Sequence, residues 1–176
     1  MNKLTVLLSV FIGLSGCSSN PPIINEKFVD LNKFMGDWYV IANIPTFIEE
    51  GAHNAIETYK KNPDGTIATT FSFNDGSFNG EKKIYNPTGF VLDDKSNAIW
   101  EMQFLWPFKS DYRIMYVDKD YKNTIIGRIK RDYVWIMSRT PIISDAEYKK
   151  LVKIIEGQKY DVSKIKIVPQ QPLSER

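Results

Sequence analysis

Cysteine and histidine are nearly missing from this 176-residue chain, which has one of each. One thiol forms no internal disulfide, and the count excludes a zinc cluster of cysteines and histidines. A Ser-His-Asp or Cys-His catalytic centre would have only His53 as its base. No Gly-x-Ser-x-Gly nucleophile elbow occurs. A surplus of one charge is also lacking: 23 basic residues face 21 acidic ones, for a net charge of +2. That disfavours nucleic acid as a partner, since it demands a concentrated basic surface. What is plentiful is aromatic: 9 Tyr, 10 Phe and 4 Trp, or 13% of the chain. With 43% apolar and 25% charged residues, the composition is that of one globular domain with a real core.

The chain has only one long apolar run, Leu4 to Leu14, preceded by Lys3. It has the length of a signal-peptide core and is too short for a bilayer span. The run closes at Leu14-Ser15-Gly16-Cys17. Small residues followed by cysteine resemble the bacterial lipoprotein processing site, where the cysteine is lipidated and becomes the new N-terminus. The resemblance implies an acyl anchor on Cys17, and Ser18 rather than Asp after it implies sorting to the outer membrane. Several acyl chains hold a protein stably where one holds it marginally. The expected division is a signal peptide over 1–16, a lipidated tether over 17–27, a globular body over 28–168 and a loose polar tail over 169–176.

From Trp38 to Ser138, turn signals such as Asn62-Pro63-Asp64-Gly65, Asn86-Pro87 and Trp106-Pro107 alternate with runs rich in Thr, Ile, Val, Tyr and Phe. A strand-plus-turn unit of about twelve residues predicts eight strands. Regular spacing without helices predicts an antiparallel up-and-down meander, able to close as a β-barrel. Ile67, Thr69, Phe71 and Phe73 share one face, as do Trp100, Met102 and Phe104; Tyr112, Ile114 and Tyr116; and Tyr133, Trp135 and Met137. Alternation fits a barrel with a hollow and a filled sandwich core equally well. One helix follows. Ser144-Asp145-Ala146-Glu147 reads as a capping box, and Tyr148, Leu151, Val152 and Ile155 form one apolar face, with Gly157 as the expected stop. The helix is expected to pack outside the sheet. The fold class is therefore all-β, an eight-stranded antiparallel barrel with one C-terminal α-helix.

Gly36-Asp37-Trp38-Tyr39 precedes the first strand, Asp118-Lys119-Asp120-Tyr121 falls at the turn after the sixth, and Trp135 to Pro141 carries the last strand and Arg139. Together these motifs resemble the lipocalin family, and in particular bacterial outer-membrane lipoprotein lipocalins of apolipoprotein D-like type. In an eight-strand meander, Trp38 and Arg139 lie at the same end. The resemblance makes Gly36, Trp38 and Arg139 a structural motif of the closed end. It also implies a ligand-binding interior lined by Ala42, Glu57, Thr69, Phe71, Trp100, Met102, Phe104, Tyr112, Ile114, Tyr116, Trp135 and Met137. The inward parity of Glu57 comes from the resemblance, not from alternation.

Turns after odd strands collect at the open end, which places Phe47, Phe78, Trp106 and Phe108 there with Lys109, Lys130 and Arg131. Exposed aromatics beside cations suit a membrane surface or a headgroup phosphate. The expected function is non-covalent capture of fatty acids or lysophospholipids by an outer-membrane-anchored protein, without cofactor, metal or catalytic residues. Single-chain lipids are favoured because they leave bilayers readily. The alternatives are an envelope interaction module with a filled barrel, or an enzyme acting on lipid through Glu57 or His53. A homodimer through exposed strand surfaces is compatible with the sequence.

Overall fold

The computed structural model describes residues 21–176. The leader and Cys17 lie outside the described residues. Nine strands build the wall: β1 (Gly36–Ile44), β2 (Ala52–Lys61), β3 (Ile67–Asp75), β4 (Lys82–Tyr85), β5 (Thr88–Val91), β6 (Ile99–Leu105), β7 (Phe108–Val117), β8 (Asn123–Gly127) and β9 (Val134–Ser138). Neighbours pair antiparallel, and β9 returns to β1, so the sheet closes. β4 and β5 pair with successive stretches of the same strand, Phe71 with Tyr85 and Ile67 with Gly89. They are two halves of one wall strand, interrupted at Asn86-Pro87 because proline has no N–H for the ladder. The carbonyl of Pro87 still accepts from the Thr69 N–H at 3.1 Å. The result is the closed eight-strand antiparallel barrel that the turn spacing predicts, with the Asn86-Pro87 signal marking a break within a strand.

Two bulges reset which side chains face the bore. The register of β1 slips between Val40 and Ala42, and that of β7 between Ile114 and Tyr116. One extra residue turns the side chains beyond it to the other face. Trp38, Val40 and Ile114 therefore pack inside with Phe34, Tyr59, Ile67, Trp100 and Met137. Ala42 and Met115 pack outside, and Tyr116 packs against the same outer cluster. That outer layer also holds Ile41, Ile125 and Ile136, and it is covered by Leu151 and Ile155 of α2 (Asp145–Gly157). Ser144 caps the helix by accepting from the Glu147 N–H at 3.2 Å. The Glu147 carboxylate turns to Lys150 and Asn123 rather than back to the cap. Gly157 belongs to the helix, and the left-handed residue after it is Lys159, at φ +68°.

Both chain ends are tied to the wall. Residues 21–27, expected as tether, run along the barrel from its open to its closed end. The Pro21 carbonyl accepts from Arg131 Nη2 at 2.6 Å, and Ile24 exchanges two hydrogen bonds with the Gln158 side chain. The Glu26 N–H donates to Ile114 O at 2.9 Å, and Asp30 N–H donates to the Tyr121 hydroxyl at 2.8 Å. At the other terminus, β10 (Lys166–Ile167) pairs with β1 beyond the point where β2 leaves it. The segment after it, expected to be loose, closes the same gap. Gln170 Nε2 donates to Val40 O and Ala55 O, Gln171 pairs with Asn54, and the Arg176 guanidinium lies 4.8 Å from the Tyr39 ring centre.

The bottom of the barrel is solid. The short helix α1 (Leu31–Phe34) puts Phe34 beneath the bore, where its carbonyl accepts from Trp38 Nε1 at 2.8 Å. Arg139 covers the Trp38 indole, guanidinium carbon 3.8 Å from the ring centre. It donates to the carbonyls of Lys33, Phe34, Met35 and Asp37 at 2.7–3.0 Å. Burial pushes its pKa down to about 10, with Asp37 acting in the opposite sense. Gly36 sits at φ +94° directly below, a left-handed backbone that favours glycine.

Candidate functional site

The upper half of the bore is hollow. Its cavity has a volume of about 450 Å³, within the range of small-ligand sites. Six of the twelve residues expected to line it do so: Glu57, Phe71, Met102, Phe104, Tyr112 and Trp135. Thr69, Trp100, Ile114 and Met137 face inward below the cavity and fill the lower bore. The remaining two, Ala42 and Tyr116, are corrections. The bulges turn them outward under the helix, and alternation read from sequence cannot register an inserted residue.

Two lining residues carry chemistry that periodicity does not reveal. Glu49, in the loop after β1, is 7% exposed. Its carboxylate accepts from Asn43 Nδ2 at 2.8 Å, Thr46 Oγ1 at 2.6 Å and Trp135 Nε1 at 2.8 Å. Burial raises its pKa, and these donors oppose the rise. Arg128 enters the lining from the β8–β9 turn, with Nη1 3.5 Å from Asp132 and its guanidinium carbon 5.2 Å from the Tyr133 ring centre. A loop Glu beside a second Glu and a Gly, at Glu49-Glu50-Gly51, reads as solvated and carries no sequence signal for burial. Thr46 is a local partner, but Asn43 of β1 and Trp135 of β9 meet the carboxylate together only once the sheet closes.

Glu57 lies deeper. Its carboxyl is hydrogen-bonded to the Tyr59 hydroxyl, which in turn lies 2.6 Å from that of Tyr112. Burial pushes the Glu57 pKa up to about 8, with a smaller push from Glu49. The same burial, then Glu57 itself, lifts Tyr112 well above its usual range. At neutral pH the deep group is therefore mainly a neutral acid, able to donate one proton and accept others. The chamber combines apolar walls with a short uncharged polar chain at depth, while Asp111 and Arg128 add charge to its lining. It suits a hydrocarbon with a polar end better than an ion.

The rim corrects two further expectations. Arg131 is not free to meet a ligand: it is buried and spends its guanidinium on the carbonyls of Gln158, Ile129 and Pro21. Phe78 packs edge-on against His53, 5.1 Å between ring centres, and neither belongs to the cavity lining. Phe47, Trp106 and Phe108 are 72–86% exposed, and Phe104, Leu105 and Ile129 join them.

The family model described as Lipocalin-like domain matches residues 29–170. The chain belongs to the lipocalin family. It is 33% identical over 153 residues to temperature-induced lipocalin-1 of Arabidopsis thaliana, covering 82% of this chain and 81% of that protein. It is 28% identical over 171 residues to the outer membrane lipoprotein Blc of Escherichia coli K12, covering 93% of each. Among solved structures, insecticyanin of Manduca sexta superposes with a TM-score of 0.66 at 17% identity, over 84% of each chain. That likeness shows the shared fold. In this lipocalin, as in the barrel as a whole, the hollow lies opposite the Trp38–Arg139 plug.

Proposed function

We propose that this lipocalin captures single-chain lipids, fatty acids or lysophospholipids, by non-covalent insertion of the tail into the cavity, while lipidated Cys17 holds it at the outer membrane. The observation that carries the reading is the apolar-walled chamber of about 450 Å³, closed below by a packed aromatic plug and open above. Each methylene moved from water into such a site contributes about 0.8 kcal/mol. Most of that gain is absent for a tail already in a bilayer, so the favoured cargo is lipid with a measurable free concentration. The Gly-Cys17 processing pattern and the relatives named outer membrane lipoprotein support the placement.

The reading is tested on protein purified without detergent from its own membrane. Mass spectrometry of the extracted lipid is expected to find single-chain species, and a fluorescent fatty acid is expected to be displaced by lysophospholipid. Tight binding of two-chain phospholipids with none of lysophospholipids refutes the ligand class. A preparation with no lipid and no fatty-acid binding favours the interaction-module reading.

A further inference from the structure

We infer that the rim of this lipocalin docks mouth-down in the interfacial layer of the bilayer, so that cargo passes between membrane and cavity without crossing bulk water. The inference rests on the lipid-capture reading for its purpose, and on two separate features of the fold for its geometry.

The first is the rim. Five phenylalanine and tryptophan side chains are strongly exposed among the described residues, and four of them, Phe47, Phe104, Trp106 and Phe108, stand around the mouth. Leu105, at 71%, and Ile129, at 47%, add to them. Phe104, Leu105, Trp106 and Phe108 share the β6–β7 hairpin, Phe47 stands in the loop after β1 and Ile129 in the turn after β8. So many exposed apolar side chains at one cavity entrance are unusual on a protein surrounded by water. Tryptophan settles at membrane interfaces, and phenylalanine and leucine form the inserted apolar side of surface-bound segments.

The second is the route of the N-terminal segment. It rises along the wall from Asp30, which is held by Tyr121 at the closed end, to Pro21, which is held by Arg131 in the turn after β8 at the open end. Cys17 is four residues further on and reaches about 14 Å at full extension. The nine residues of β1 span about 30 Å along the strand, and a barrel tilt of about 40° makes the wall about 23 Å tall. A tether so short cannot carry its acyl groups round to the closed end. It brings the membrane to the mouth, where the exposed aromatics already stand. Arg131 fixes the route. It joins Pro21 to the end of α2 through Gln158 O at 2.6 Å, so the segment cannot swing freely away.

The test holds the chain on vesicles of phosphatidylethanolamine and phosphatidylglycerol through Cys17, by its own acyl groups or, where those are absent, through a maleimide lipid. Brominated acyl chains in the vesicle serve as the quencher. Trp38 and Trp100 are fully buried, and Trp135 is half-buried inside the cavity, hydrogen-bonded to Glu49. Trp106 is therefore the indole exposed on the rim, and any residual quenching in its absence reports Trp135. Docking predicts quenching that is largely lost in Trp106→Phe, and none from Lys119→Trp introduced at the closed-end turn of that variant. A Leu105→Ser, Trp106→Ser, Phe108→Ser variant stays tethered and keeps its affinity for monomeric fatty acid. It is expected to accept a fluorescent lysophospholipid from the vesicle at least tenfold more slowly. Equal quenching at both ends, no difference on removing Trp106, or unchanged uptake by the triple variant overturns the proposal. Capture is read separately from extracted lipid. Protein that carries lipid without Trp106 quenching refutes docking alone, and protein that is quenched but carries no lipid refutes capture alone.

Discussion

Replacing Glu57 by glutamine should flatten the pH dependence of stability on the alkaline side. In the folded barrel the carboxyl holds its proton up to about pH 8, because burial penalises the anion and Glu49 stands nearby. In the unfolded chain it releases the proton near its ordinary value of 4.5. Between these values the native state binds one more proton than the unfolded state. Stability is therefore fully present below about pH 4.5 and declines as pH rises towards 8, by about 1.4 kcal/mol per pH unit. Across the whole interval the loss is about 5 kcal/mol, comparable to the total stability of a small domain. Glutamine mimics the neutral acid, accepts from Tyr59 in the same place and has no proton to lose. Urea denaturation at half-unit steps from pH 5 to 9 should show a falling midpoint for the parent protein and a much shallower fall for Glu57→Gln. The variant should be the more stable of the two at pH 8. Some slope will persist, because burial also raises Glu49 and the two carboxyls titrate as a coupled pair. Parallel pH profiles would refute the assignment and mean that Glu57 is ionised within the fold.

Other outcomes follow from the remaining contacts. Arg139→Ala removes the donors to five carbonyls, that of Tyr121 among them, and the stack on Trp38, and should cost about 3 kcal/mol in urea titration once solvent exposure of the group is allowed for. Arg139→Lys should recover less than half of this, since a point charge cannot span the same carbonyls. Met102→Trp should fill the chamber and weaken fluorescent fatty-acid binding at least tenfold, at an overpacking cost of about 1–3 kcal/mol. Tyr116→Ala should leave binding unchanged and destabilise the protein by about 1–2 kcal/mol, because the side chain packs only half-buried beneath α2. Arg131→Ala should speed amide exchange of residues 21–27 before that of any wall strand, which native-state hydrogen exchange can read directly.

The fold was legible because its signals are local. Turn residues at near-regular spacing give the strand count, the Ser144 cap and the apolar spacing from Tyr148 to Ile155 give the helix, and parity of turns separates the two ends. The cavity was half legible. Phe71, Met102 and Trp135 follow from alternation, but Ala42 and Tyr116 fall beyond bulges, and a bulge depends on how two strands share the strain of closing a barrel. Glu49 and Arg131 escaped for a related reason. Each is a charged loop residue that needs a partner distant in sequence, Trp135 for Glu49 and Pro21 and Gln158 for Arg131, and only the closed sheet makes burial of either tolerable. The C-terminal segment looks like a solvated tail because its grip is made by Gln170 and Gln171 on backbone and side-chain amides, which leaves no apolar pattern to read.

The aromatic packing in the lower bore has a consequence for selectivity. Phe34, Tyr59 and Trp100 form a fixed stop beneath the chamber, so under the proposed capture of single-chain lipids it would act as a depth gauge. Each added carbon in a guest should tighten the complex until its terminal methyl reaches that stop. Beyond it, further carbons lift the headgroup clear of the rim and return nothing. Sorting among guests should then depend on tail length more than on the chemistry of the head.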